Sequence, residues 1–457
     1  MPRQTWTSRL TYVLTVAGAT IGFGATWRFP YLVGENGGGA YVLTFIIAMF
    51  LVGVPIILVE NVIGRRAMCN CVDAFAKPVN GKTPHPAWKL CGYGALVGAF
   101  GILAYYMVIG GWVLAYIANI LMSIVGMDGL DLSAPVTKEL TESFYQEHIV
   151  NAPLDITVYT LVFVWINYII LKRGVIAGIE RSVRYLMPLL FICLIVMVIR
   201  NLTLEGASEG IRFYLMPDFS KITPSLFLMV LGQVFFALSL GFGVMITLSS
   251  HLDAKEHLIK TASITGVINT LIAVMCGFMI FPSLFSAGLS PDSGPSLVFK
   301  TLPIAFSQIH GGNFFALVFF LLLIVAAFTT SITIYQVMIA VLNEKFGIRL
   351  NGAINIVLLG VFIFGNLPCV LSSSVLKDVT FLDRSVFDAF DFISGNICFV
   401  LTALGSTLFA GYVLKEEAMM ELSNHGAFKG AVIRLWYGYV RYVIPVIIAV
   451  IFVYGLI

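Results

Sequence analysis

Apolar residues fill this chain in long runs that are separated by short polar connections. Each run has about 20 residues or more, the length of helix that crosses the hydrocarbon core of a bilayer. The runs lie at residues 9–33, 39–63, 91–125, 155–171, 183–199, 225–250, 261–285, 314–342, 352–371, 390–414 and 432–456. The pattern predicts an all-α integral membrane protein with eleven transmembrane helices.

Composition supports a membrane protein. Hydrophobic residues make up 59% of the chain and charged residues 11%, and the mean hydropathy is +0.95, whereas roughly a quarter of the residues of a soluble domain are charged. Lysine and arginine collect in the loops on one side if the spans alternate, as at Arg65, Arg66, Lys172 and Arg173. The positive-inside rule then predicts a cytoplasmic amino terminus and, with eleven spans, an external carboxyl terminus. The net charge of +3 reflects this loop bias and does not indicate nucleic acid as a partner.

Two of the predicted spans carry nearly the same glycine break near their middle. Residues 20–24 read Thr-Ile-Gly-Phe-Gly, and residues 239–243 read Ser-Leu-Gly-Phe-Gly. Glycine lets a helix unwind, and main-chain groups freed inside a membrane must be buried in protein or face a cavity for ions and substrate. Close helix packing is the alternative explanation of a single such motif. Matched breaks favour discontinuous helices 1 and 6 that form a binding site.

The spacing of the breaks predicts an inverted repeat. They lie five spans apart, and a unit with an odd number of spans must be inverted when it is used twice. The single membrane transport domain at 1–457 would then contain a first repeat at 9–200 (spans 1 to 5), an inverted second repeat at 225–414 (spans 6 to 10) and an additional span 11 at 432–456. The loop at 286–312 is apolar enough to dip back into the protein and could act as a lid.

Motifs along almost the entire chain resemble the neurotransmitter:sodium symporter family, and in particular its bacterial eleven-span amino-acid transporters. They include Trp6–Arg9, Gly18–Gly24, Trp27–Tyr31, Glu35–Ala40, Gly178–Arg181, Gly232–Phe236 and Phe328–Ile332, with Tyr105, Tyr106, Trp112, Asp388 and Asp391. The resemblance implies alternating access, in which a bundle of spans 1, 2, 6 and 7 moves against a scaffold of spans 3, 4, 8 and 9.

The resemblance also implies a substrate site at the two breaks. Gly22 stands where monoamine carriers of the family have aspartate and amino-acid carriers have glycine. Main-chain amides near Phe23 and the Tyr106 hydroxyl would hold a carboxylate, and carbonyls of the broken spans with the Ser239 hydroxyl would hold an ammonium group. The full set is Ala19, Thr20, Gly22, Phe23, Gly24, Ile102, Tyr106, Phe236, Ala237, Ser239, Phe242, Thr330 and Ile334. None of these residues is charged, which suits a neutral, mostly apolar amino acid.

A sodium site is implied where the family has its second sodium ion. Its ligands would be the carbonyls of Gly18, Ile21 and Ala326 and the hydroxyls of Thr329 and Thr330. Oxygen ligands without a full negative charge suit a monovalent cation better than a divalent one. The alternative is that the two threonines only bond back to the preceding helical turn.

The family's first sodium site is not matched. Ala25 and Ala237 replace two of its oxygen donors, and only Thr20 and Asn269 remain. Stripping a cation of water without replacing those contacts is unfavourable. The chloride region is depleted as well, since Phe45 and Ala273 stand at its coordinating positions. We expect one sodium ion and no chloride, although a proton in place of the missing ion stays possible.

Charged residues within the spans predict two gates, because a charge inside a membrane protein usually has a partner. Arg28 and Asp391 would form the extracellular gate, above a lid of Tyr106 and Phe236. At the inner face Arg3 would pair with Glu344, and Trp6 would cover the junction. His251 takes the place of the family's usual tyrosine near this inner gate, and Glu60 is expected to brace main chain near Gly241.

These features together predict a sodium-coupled symporter for a neutral amino acid. Two alternatives are a sodium- or proton-coupled carrier of an amine or other small zwitterion, and a non-transporting sensor with the same pocket. An enzyme is not expected, because the six histidines are dispersed and no nucleophile is paired with a base. The expected setting is the bacterial plasma (inner) membrane, with the protein as a monomer or weak dimer.

Overall fold

The computed structural model describes residues 5–291, 296–428 and 430–456. In this part of the chain, ten helices are long and apolar enough to cross a membrane. Numbered by the predicted spans, they are span 1, Arg9–Glu35; span 2, Gly39–Ala67; span 3, Pro86–Ile124; span 4, Pro153–Lys172; span 5, Ile176–Leu202; span 7, Leu258–Ser286; span 8, Gly312–Glu344; span 9, Leu350–Leu371; span 10, Val386–Leu414; and span 11, Ala431–Leu456.

The sixth predicted span is two shorter helices. Pro224–Ala237 (helix 6a) and Val244–Ser249 (helix 6b) are separated by residues 238–243. Fourteen residues of helix rise only about 21 Å at 1.5 Å each, which is less than the hydrocarbon core of about 30 Å. Ten long helices are therefore found where eleven spans were predicted, and the count of eleven requires 6a and 6b to cross together.

Span 1 lies at the centre of the molecule. Each of these helices contains an apolar stretch of 18 residues. In span 1, 83% of that stretch is buried, and in span 8, 78% is buried, whereas the value for span 11 is 22%. Span 1 packs against spans 5, 7 and 8 and helix 6b. The first glycine break is thus enclosed by protein on all sides, as freed main chain in a membrane must be. The division into two inverted repeats stays a prediction.

The connections contain short helices and one very short β-hairpin. The helices are Lys138–Tyr145, Ala207–Leu215, Leu302–Ser307 and Glu416–Leu422, and strand Thr380–Phe381 pairs with Arg384–Ser385. The predicted lid loop does dip into the protein, since Leu297, Val298 and Phe299 are almost completely buried. The Tyr116 hydroxyl of span 3 donates a hydrogen bond of 2.5 Å to the Phe299 carbonyl.

Candidate functional site

The break in span 1 is confined to one residue. Only Gly22 leaves helical geometry (φ −20°, ψ −157°), and Gly24–Arg28 continue as a π-helical turn. The Gly22 amide donates to the Thr330 hydroxyl oxygen at 3.0 Å, and the Phe23 amide donates to the Tyr106 hydroxyl oxygen at 3.3 Å. A Cβ at Gly22 would lie 2.4 Å from that Tyr106 oxygen. Side chains of spans 3 and 8 therefore satisfy the freed amides, and only glycine fits between them.

The break between helices 6a and 6b is wider. Residues 238–243 leave the helix, with positive φ at Ser239 (52°), Gly241 (79°) and Gly243 (73°). The Ser239 hydroxyl donates to the Ala19 carbonyl at 3.0 Å, so the two breaks are bonded to each other. The Gly241 amide donates to Glu60 Oε1 at 2.7 Å, which is the bracing contact expected of Glu60.

A small cavity lies between the two breaks. Its volume is about 10 Å³, which is room for about one water molecule. Twelve of the thirteen predicted substrate residues line it, namely Ala19, Thr20, Gly22, Phe23, Gly24, Ile102, Tyr106, Phe236, Ser239, Phe242, Thr330 and Ile334. The exception is Ala237, whose carbonyl instead accepts a hydrogen bond from Asn269. Among the described residues, no charged side chain lines this cavity.

The predicted sodium ligands of spans 1 and 8 lie side by side. The Thr330 hydroxyl donates to the Gly18 carbonyl at 3.0 Å, and the Thr329 hydroxyl donates to the Ala326 carbonyl at 3.0 Å. Thr329 thus bonds back within its own helix, whereas Thr330 bonds across to span 1. Ile21 and Ala326 are completely buried in the same layer. The site has uncharged oxygen donors, as a monovalent cation prefers.

The region of the unmatched sodium site is held by amide side chains. Asn269 Nδ2 donates to the Thr20 carbonyl at 3.0 Å and to the Ala237 carbonyl at 3.1 Å, which joins the two breaks. Gln233 Nε2 donates to the Gly24 carbonyl at 2.7 Å. Ala25 is completely buried beside them. Amide hydrogens therefore already occupy carbonyls that would otherwise be free for a cation.

A second cavity of about 170 Å³ lies next to the first, and Phe23, Tyr106 and Phe236 line both. Arg28 and Asp391, the predicted outer gate, face this cavity. The Arg28 guanidinium lies 4.5 Å from the centroid of the Phe236 ring, and Asp391 lies within electrostatic range of Arg28 and Tyr105. Among the described contacts no ion pair within 4.0 Å joins Arg28 to Asp391. The two residues of the predicted gate thus line one cavity, and the described residues show no ion pair between them.

The structure places one aromatic residue beside the cavity, Phe399, that the sequence analysis did not identify. Phe399 of span 10 stacks on Phe242 with ring centroids 3.5 Å apart, and its carbonyl would lie 2.1 Å from a Cβ at Gly241. Phenylalanine is common in apolar spans, so neither spacing nor composition distinguishes Phe399 from a lipid-facing residue.

Trp6 closes the junction between span 1 and helix 6b, at the end that the loop charges predict to be cytoplasmic. Its indole nitrogen donates to the Leu248 carbonyl at 3.0 Å, and its amide donates to the His251 carbonyl at 3.4 Å. Both hydrogen bonds are accepted by main-chain carbonyls. They therefore do not depend on the side chain at position 251, where His251 replaces the tyrosine that is usual in the family. Arg3 lies outside the described residues, and its pairing with Glu344 stays a prediction.

Glu344 belongs to a polar cluster at the same end. Its Oε2 accepts a hydrogen bond of 2.7 Å from the Asn70 amide, and Lys345 pairs with Asp73 at 2.9 Å. Partial burial opposes ionisation of Asp73, but hydrogen bonds from Asn70 and Lys345 outweigh it and lower the pKa of that carboxyl. The cluster fixes the loop after span 2 to the end of span 8.

Comparison with known proteins agrees with this arrangement. The model of a family described as "Sodium:neurotransmitter symporter family" matches residues 3–128 and 135–457. An uncharacterized sodium-dependent transporter of Haemophilus influenzae is 60% identical, with 99% of this chain and 98% of that protein covered. The uncharacterized sodium-dependent transporter YhdH of Bacillus subtilis is 34% identical, with 98% and 96% covered.

Solved structures point the same way. The crystal structure of MhsT in complex with L-phenylalanine superimposes with a TM-score of 0.87 at 34% identity, covering 99% of this chain and 100% of that one. The relatives are described as transporters and not as enzymes. The chain is thus a multi-pass membrane protein that belongs to the sodium:neurotransmitter symporter family.

Proposed function

We propose that this protein imports a neutral, mostly apolar amino acid together with one sodium ion, by alternating access across the plasma membrane. The observation that carries the proposal is the uncharged cavity between the two breaks, with main-chain amides at its wall. The amino terminus would lie in the cytoplasm, in line with the loop charges.

The substrate carboxylate would bind at the break in span 1. The Gly22 and Phe23 amides point at hydroxyl oxygens of Thr330 and Tyr106. A carboxylate is a stronger acceptor than a hydroxyl, so it would take over these bonds. The Tyr106 hydroxyl would then be free to donate to it. Since the substrate brings its own negative charge, glycine at position 22 suffices.

The substrate side chain would meet apolar surfaces. Ile102, Phe236, Phe242 and Ile334 line the cavity, and a charged side chain without a partner there would be costly. MhsT is described in complex with L-phenylalanine, which supports an apolar amino acid as the class. The cavity would have to widen, and Phe236 lies at the end of helix 6a, directly beside the break.

One sodium ion would bind at Gly18, Ile21, Ala326, Thr329 and Thr330. The Asn269 amide bonds to the Thr20 and Ala237 carbonyls support the absence of a second sodium ion. A chloride site is not proposed, because Phe45 and Ala273 are buried apolar residues.

The test is counterflow of labelled amino acids into liposomes that contain the purified protein. We expect sodium-dependent counterflow that neutral apolar amino acids compete for and that lysine and aspartate do not. Gly22→Ala should abolish it, because its Cβ would collide with Tyr106. Gly232→Ala in helix 6a is the matched control, since a Cβ there meets nothing within 4 Å. Substrate binding without counterflow would favour a sensor and refute the proposal, and competition by amines alone would refute the substrate class.

A further inference from the structure

Glu60 is a carboxylic acid sealed inside the membrane-spanning part of the protein. It lies on span 2, and its exposed fraction is 0%. Oε1 accepts the 2.7 Å hydrogen bond from the Gly241 amide. Oε2 is buried and has no hydrogen-bond partner among the described residues. Half of this carboxyl group is therefore bonded to the break of the sixth span, and the other half is unsatisfied.

The surroundings of Glu60 supply no positive charge. No ion pair within 4.0 Å among the described residues includes Glu60. The basic residues of its own helix are already paired, Arg65 with Glu421 and Arg66 with Glu417, and Arg9 of span 1 pairs with Glu256. The other ionisable groups on elements packed against this part of span 2 are Tyr12, Asp73, Lys260, Cys276, Glu416, Arg434, Tyr437, Tyr439, Arg441 and Tyr442, and none is bonded to Glu60.

Ionisation of the Glu60 carboxyl in this surrounding is energetically unfavourable. A buried charge without a partner is strongly unfavourable even after the protein relaxes. A protonated carboxyl avoids this cost and gains an O–H donor at Oε2. Its Oε1 can still accept from Gly241. The geometry therefore favours the neutral acid in the closed conformation described here.

We infer that Glu60 binds a proton during the transport cycle and that this proton is a second coupling ion beside the proposed single sodium ion. The inference rests on the proposed function. The proton is taken from water on the side to which the site is open and forms an O–H bond at Oε2. That bond breaks when water reaches Glu60 from the other side.

The contact with Gly241 links this proton to the movement of the break. An ionised carboxylate accepts a stronger hydrogen bond than a neutral carboxyl. Loss of the proton therefore tightens the bond to the Gly241 amide, and uptake loosens it. Gly241 lies inside the break and packs closely against the Phe399 carbonyl, so a change in the strength of this hydrogen bond would act directly on the break.

The test uses liposomes that contain the full-length protein and a trapped pH-sensitive dye, with sodium at equal concentration on both sides. An outward or inward gradient of the transported amino acid should change the internal pH, and the sign of the change gives the direction of proton movement. Counterflow of labelled substrate is measured in the same preparation. No counterflow would refute the proposed function. Counterflow without any pH change would refute only the proton inference.

Variants assign the proton to Glu60. Glu60→Gln keeps an acceptor for Gly241 but cannot titrate, so the pH change per labelled substrate exchanged should fall to the level of empty liposomes, whatever the rate of counterflow. Glu180→Gln is the matched control, because Glu180 is also buried but its Oε1 already accepts from Thr7 and Thr11, and it should keep the pH change per substrate. An undiminished pH change in Glu60→Gln would overturn the inference. If that variant does not fold, Glu60→Asp must shift the pH at which proton flux is half-maximal, and an unshifted profile would also overturn it.

Discussion

Two regions beside the break in span 1 satisfy their carbonyls in different ways. On the side of span 8, the Gly18 carbonyl accepts from the Thr330 hydroxyl; on the side of span 7, the Thr20 carbonyl accepts from the Asn269 amide. A hydroxyl can turn its hydrogen away and offer a lone pair, whereas an amide nitrogen has none to offer. We therefore expect the first region to exchange its hydrogen bond for a cation more readily than the second, where Asn269 Nδ2 holds both carbonyls and only Asn269 Oδ1 is left without a partner among the described residues.

The comparison indicates how a site of this kind could do without an ion and still keep its buried main-chain carbonyls hydrogen-bonded. At positions 25 and 237 alanine stands where the family's first sodium site has side-chain oxygens. A site without its ion would leave nearby buried carbonyls unpaired, and each unpaired carbonyl costs about 1–3 kcal/mol. Asn269 pairs two of them with one side chain. In the proposed single-sodium transporter, this pair of hydrogen bonds would take the place of the second ion.

Removal of the threonine hydroxyls should have the largest effect. Thr329→Val with Thr330→Val deletes two proposed sodium ligands, each worth about 2 kcal/mol. We expect the sodium concentration for half-maximal uptake to rise by about 1,000-fold. Thr333→Val is the control, because the Thr333 hydroxyl only bonds back to the Thr330 carbonyl. An unchanged sodium dependence in the double variant would remove the proposed ion from this position.

Asn269→Leu should reduce stability more than ion coupling. It leaves the Thr20 and Ala237 carbonyls unpaired, and we expect a loss of about 2 kcal/mol, measured as a lower melting temperature of the purified protein. The sodium concentration for half-maximal uptake should stay within about two-fold of its original value. A sodium shift as large as that of the threonine variants would show that Asn269 is an ion ligand.

Restored oxygen donors should add a second ion. In Ala25→Asn with Ala237→Thr, we expect the Hill coefficient for sodium to rise from about one toward two. Both alanines are at most 1% exposed, so overpacking should cost about 1–3 kcal/mol of stability. A Hill coefficient already near two in the original protein would contradict the single-ion proposal.

Replacement of chloride by gluconate should have the smallest effect, namely none. Phe45 packs against Phe29 with ring centroids 4.7 Å apart, and Gln233 Nε2 is bound to the Gly24 carbonyl. Uptake of labelled substrate is the measurement. Loss of uptake in gluconate would show that an anion binds in spite of these residues.

Much of this fold follows from local sequence. Long apolar runs give the helices almost to their ends, and the glycine breaks give the position of the cavity. The extent of each break does not follow. The same letters, Gly-Phe-Gly, produce a kink at Gly22 but an open segment with positive φ at Gly241 and Gly243. The difference depends on distant partners, such as Thr330, which is 308 positions from Gly22 in the chain.

Side-chain direction was the other limit. The sequence shows that Asn269 remains when its neighbours are lost, but not that its nitrogen faces two carbonyls. Likewise, the sequence predicts Arg28 and Asp391 as a gate pair, but it does not show that the Arg28 guanidinium packs on the Phe236 ring. Such choices depend on packing from several spans at once, which no single run of residues encodes.

The buried segment that follows span 7 has a thermal consequence. Leu297, Val298 and Phe299 are buried, and the Tyr116 hydroxyl donates a hydrogen bond to the Phe299 carbonyl. Any opening that lifts this segment wets those side chains, and wetting apolar surface raises heat capacity. An Arrhenius plot of the rate of such an opening would therefore be curved. The factor by which each degree of cooling slows the opening would change with temperature.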